Sequence, residues 1–84
     1  MLGFGTSSRD KELIAEMRGI LESYAQEYAY IALQEFKSGK RKFDKGEFQR
    51  IIGIIHYLLT ARVKNKYGLT VDHFERLFKK AVMD

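Results

Sequence analysis

Twice in this sequence a glycine is followed within a few residues by the same start signal for a helix. The stretch GKRKFDKGEF places Gly39 ahead of an apolar Phe43, then Asp44, then Glu47 and Phe48; YGLTVDHF places Gly68 ahead of Leu69, Thr70, His73 and Phe74. Asp44 and Thr70 are good N-caps, and the apolar residue before each cap stands five positions ahead of an apolar partner, the spacing of a hydrophobic staple. Glycine just before such a start is the usual C′ stop of the preceding helix. With no proline in the chain, these two joints predict an all-α fold of three helices, at about 9–37, 45–67 and 71–82. Ser7 and Asp10 offer an S-x-x-D capping box for the first helix. Residues 1–8 read as a mobile arm, with 9–84 as a single helical domain.

The apolar residues follow the helical period. Leu13, Met17, Ile20, Leu21, Tyr24, Tyr28 and Ile31 form one stripe on the first helix. On the second, Phe48, Ile51, Ile52, Ile54, Ile55, Leu58, Leu59, Ala61 and Val63 span an arc of roughly 200°, wider than one neighbour can cover. The third helix adds Phe74, Leu77, Phe78 and Ala81. Hydrophobic residues make up 45% of 84 and charged residues 31%, a globular balance. A chain this short buries only roughly 60% of its unfolded surface, however, and has no cysteine to staple it. A first helix of that length would run ~43 Å against a domain radius of gyration of ~12 Å. Either it breaks near Gly19 or a second chain covers the overhang, and a homodimer is the expectation. Tyr30, Leu33 and Phe36 fall off the main stripe and, with Ile54 and Tyr57 of the second helix, are the candidate partner-binding residues. Gly19 and Gly53 stand mid-helix, where glycine is costly; a close helix crossing or plain tolerance accounts for either.

Charge is unevenly divided. Residues 1–36 carry a net −3, whereas 37–84 set twelve Lys/Arg against five Asp/Glu for a net +7. The candidate contacts to phosphate or an acidic partner are Lys37, Lys40, Arg41, Lys42 and Lys45 in the first joint and Arg62, Lys64 and Lys66 near the second. A solvated loop whose cations suit a helix C-terminus explains the same run. The N-terminus has neither the basic nor the apolar region of a leader, the longest apolar run is far short of the ~20 residues a bilayer needs, and zero cysteines suit a reducing compartment. Cytoplasmic location is expected.

Catalytic and cofactor chemistry finds little support. His56 sits at the edge of the wide arc and reads as a core-edge histidine bonded to a neighbour such as Tyr24 or Tyr28. His73, beside Asp72 and Glu75, lacks the spacing that would complete a metal site. FDKGEF lacks the ligand run of a calcium loop, and no glycine-rich phosphate cradle occurs. No cofactor and no enzymatic activity are expected.

The stretch FDKGEFQRIIGIIHYLLTARVKNKYGLTVDHFERLF resembles the latter half of pediocin-like bacteriocin immunity proteins: a lysine-rich turn, a long apolar helix, a short basic turn and a final helix. That resemblance implies a cytosolic four-helix antiparallel bundle acting through a membrane target complex, where the periodicity of residues 9–37 reads as one helix. The function expected is protein–protein interaction, as a regulator, adaptor or immunity-type protein. The alternative is nucleic-acid binding through the basic 37–45 loop and the helix-turn-helix-like segment, mostly to phosphates. Asp72 at the start of the last helix disfavours base reading.

Overall fold

The computed structural model describes residues 7–24 and 26–84, and all its regular elements are helices. Residues 1–6 of the expected arm lie outside the described residues. Ser7 and Ser8 are the N-cap and first residue of α1 (Ser8–Ser23). Next come α2 (Tyr28–Ser38), α3 (residues 45–67) and α4 (residues 71–83). The expected first helix is therefore two, and the described residues form four helices rather than three.

Local chemistry caps the ends as the sequence predicts. Ser7 Oγ accepts from the Asp10 amide at 3.1 Å, Asp44 Oδ1 from Glu47 at 2.8 Å and Thr70 Oγ1 from His73 at 3.2 Å. Gly39 and Gly68 take φ of 80° and 63°, the left-handed conformation that L side chains avoid. They let the Lys40 amide reach back to the Glu35 carbonyl and Leu69 to Lys64, the wider bond of a Schellman stop in each case. The Phe43 staple closes with its ring centroid 5.5 Å from Phe48, and Phe36 joins both rings at 5.9 and 5.6 Å.

The break between α1 and α2 has no such punctuation. Residues 24–27 read YAQE, without glycine or proline, α1 runs straight through Gly19, and Glu27 caps α2 without a side-chain bond. Ser23 Oγ donates to the Gly19 carbonyl at 3.0 Å, a back-bond that weakens the last turn. The cause is packing. Leu13, Ile14, Met17 and Leu21 are the buried residues of α1, and Ala29, Ala32 and Leu33 those of α2. On one continuous helix these sets would point about 100° apart, and the rod would exceed the molecule's longest dimension of 39 Å. Breaking lets α1 pack on α3 and α4 while α2 packs on α3. Leu33 is thus a core residue at 1% exposure, buried by its own chain. The overhang that called for a second chain does not exist.

α3 is the spine. Ile51, Ile55, Leu59 and Val63 are buried at steps of four, which overshoot an α-helical turn by ~40° each. From Thr60 to Lys64 the helix widens to π geometry, slowing that drift, and Val63 is fully buried. α4 widens likewise at Lys79–Met83, with Ala81 and Val82 buried. No polar side chain is buried among the described residues.

Ile55→Asp should abolish the cooperative thermal transition followed by circular dichroism, since a carboxylate at a site 2% exposed finds no partner there. Leu33→Ala should cost about 3 kcal/mol in urea unfolding; wild-type stability would show that α2 is not docked as described.

Candidate functional site

Where α1 ends and α2 begins, a groove of about 580 Å³ lies between their joint and α3. It is lined by Leu21, Tyr24, Glu27, Tyr28, Ala29 and Tyr30 from α1, α2 and their joint and by Ile54, Ile55, Tyr57, Leu58, Ala61 and Arg62 of α3, of which Leu21, Ala29 and Ile55 are buried. Three of the five predicted partner-binding residues, Tyr30, Ile54 and Tyr57, meet here. Ile54, at the edge of the wide α3 arc, is 49% exposed, and Tyr57, just outside that arc on the side of Arg50 and Gly53, is 79% exposed. Phe36 is half-buried in the phenylalanine cluster, and Leu33 lies in the core.

The sequence reading put Tyr24 and Tyr28 on a buried stripe. Tyr24 is half-buried under the Arg62 guanidinium, 5.3 Å from its ring centroid, and Tyr28 is 49% exposed. The signal that could have found them is the second apolar phase of residues 29–36, which marks Leu33 as inward and so turns Tyr28 outward.

The predicted cations separate into two groups at opposite ends of α3. Positions 45 and 62 are seventeen residues apart, ~25 Å along the helix. Arg41 is drawn inward as a strut: Nε and Nη2 donate to Glu35 Oε1 at 3.0 and 2.6 Å, Nη1 to Glu47 Oε2 at 3.2 Å, and the guanidinium lies over Tyr28 and Phe36. The hydrogen bond to Glu35 holds its proton more tightly than usual, against a smaller opposing effect of desolvation. Lys66 bonds Glu16 at 3.5 Å and lies 5.1 Å from the Tyr67 ring; its amine is raised mainly by Tyr67 and then by the Glu16 charge. Lys37, Lys40, Lys42 and Lys45 are exposed around the α2–α3 joint, while Lys64 is half-buried.

Both histidines join helices. His56 Nε2 lies 2.5 Å from Glu75 Oε2 of α4, with its ring edge-on to Phe74 and Phe78, and its Nδ1 lies 3.4 Å from Thr60 Oγ1, so its partners are Glu75 and Thr60 rather than Tyr24 or Tyr28. His73 Nε2 pairs with Asp10 Oδ1 of α1 at 2.8 Å, which takes the carboxylate away from the second half of the Ser7 capping box. Tyr67 donates to Glu16 at 2.5 Å and Arg18 to the Lys80 carbonyl at 2.9 Å. Among the described residues no group of three histidine or acidic side chains converges as metal ligands would, and no helix is long and apolar enough to cross a membrane.

Comparison with family profiles, with curated proteins and with solved structures finds no match.

Tyr28 donates to the Glu47 carboxylate, and this bond, then desolvation and the Glu47 charge, raise its pKa above the usual 10.0, with Arg41 and Arg50 pulling the other way. The fold prefers the neutral phenol. Its contribution to stability is therefore complete below pH 10 and is lost as pH rises through the higher folded value. Ultraviolet titration should accordingly lose one phenolate equivalent from the region above pH 10 in Tyr28→Phe, and a loss from below pH 10 would show that the Glu47 bond is absent.

Proposed function

We propose that this chain is a non-enzymatic helical module of the cytoplasm that works by protein–protein interaction, as a regulator, adaptor or immunity-type protein. Its contact surface is the tyrosine-walled groove together with the outer face of α3. The observation that supports this reading is the exposure of Ile54 and Tyr57 beside Tyr28 along a groove lined mostly by apolar and aromatic side chains. Aromatic side chains flanked by arginine, here Arg50 and Arg62, are enriched at the centres of protein interfaces. The histidines and most nearby carboxylates act as ties between helices, a use that suits a binding protein. The resemblance of residues 43–78 to immunity proteins belongs to the same reading.

Site-specific photo-crosslinking in the source cell tests it. A benzophenone side chain at Tyr57 should give protein adducts, while the same group at Val71, 61% exposed at the start of α4, should give few. Equal yields at both positions, or none, would remove the reading.

Nucleic-acid binding is the second reading, favoured by the exposed quartet Lys37, Lys40, Lys42 and Lys45. Four phosphate contacts predict binding to labelled duplex that weakens about a hundredfold between roughly 50 and 200 mM salt. Fluorescence anisotropy that stays flat even at the lower salt would dismiss it.

A further inference from the structure

Six residues of α3, Gly46, Arg50, Gly53, Ile54, Tyr57 and Ala61, fall within ~100° of one another around the helix axis, and all six are exposed. The stripe contains two large apolar side chains, one cation and no acid. At Gly53 an added Cβ would meet nothing within 4 Å, so no crossing among the described residues requires glycine at a position where a helix tolerates it poorly.

We propose that this stripe is the interface of a symmetric dimer, in which α3 crosses α3 of a second copy antiparallel, with the two-fold axis between Gly53 and Ile54. The inference rests on the reading of the α3 face as a contact surface and names its occupant. What selects a second copy is the order of side chains along the stripe. In a two-fold antiparallel crossing, positions equidistant from the axis oppose one another. With the axis there, Arg50 of each copy faces Tyr57 of the other, Gly53 faces Ile54, and Gly46 faces Ala61. Each exposed phenol ring receives a guanidinium over its face, a favourable electrostatic pairing. Each isoleucine meets a position without a side chain, and the flanking contacts are small enough for the backbones to approach. Competing arrangements lose this match. A parallel crossing in register sets Arg50 against Arg50. Moving the axis one turn to Tyr57 brings Arg50 toward Lys64. The stripe is thus complementary to itself in one orientation and one register.

Sedimentation equilibrium of the full chain should show a monomer–dimer equilibrium. Tyr57→Lys, which sets an ammonium against Arg50 of the second copy, should weaken the dimer at least about tenfold. The double variant Arg50→Glu/Tyr57→Lys sets carboxylate against ammonium and should recover the wild-type constant to within about threefold. Within one helix positions 50 and 57 are ~10.5 Å apart along the axis, so rescue reports contact between copies. Both side chains are exposed, so circular dichroism melts run dilute enough for wild type and variant alike to be monomeric should share one transition temperature, and Tyr57→Ala repeats the weakening without a new charge. A wild type that is monomeric throughout, a dimer indifferent to Tyr57→Lys, or a double variant no tighter than the single would overturn the proposal. Tyr57 photo-adducts that contain only a different protein would likewise overturn the dimer while leaving the contact surface in place; adducts of no kind would overturn both.

Discussion

The burial of one ridge, Ile51–Ile55–Leu59–Val63, governs the arrangement of everything else. All four side chains are at or below 2% exposure, and together they need cover along some 18 Å of α3. No single helix in so short a chain supplies it. α2 covers the earlier part, and α1 lies against α3 while also docking on α4. The cost of breaking a long helix between Tyr24 and Glu27 is offset by seven buried side chains on the two resulting pieces. The same ridge explains the π-helical turn at Thr60–Lys64, which keeps Val63 facing inward where regular α geometry would rotate it away.

Around this apolar interior the polar groups serve as ties. Arg41 binds the end of α2 to the start of α3 through Glu35 and Glu47. His73–Asp10 and Arg18–Lys80 hold α4 to α1, His56–Glu75 holds it to α3, and Tyr67–Glu16 joins the end of α3 to α1. These contacts are partly exposed, and each contributes modestly on its own. Their effect is to fix which way the helices face. They also commit Arg41 to two carboxylates, and the exposed cations that a phosphate could recruit are divided between two ends of α3.

Function on this reading is a matter of what the core leaves over. α3 carries more apolar surface than three short helices can enclose, and the excess is concentrated at Ile54 and Tyr57. These lie beside an aromatic-walled groove that exists only because α1 and α2 diverge at their joint. The feature that shortens the first helix and the feature that offers a binding surface are the same break.

The sequence by itself determined the helical class and both glycine joints. It also determined the boundaries of α3, the caps at Ser7, Asp44 and Thr70, and the width of the α3 arc that leaves Ile54 at its uncovered edge, next to Tyr57. These are local matters: a cap, a staple or a left-handed glycine is decided by residues within a turn of one another. Only the tertiary structure decided that residues 9–37 are two helices, that Leu33 faces inward and Tyr28 outward, and that Arg41 is a strut while Lys40 and Lys42 project. The sequence YAQE has nothing that stops a helix. What stops it is the distant ridge on α3, because two apolar sets about 100° apart on one rod cannot both reach a core smaller than the rod is long.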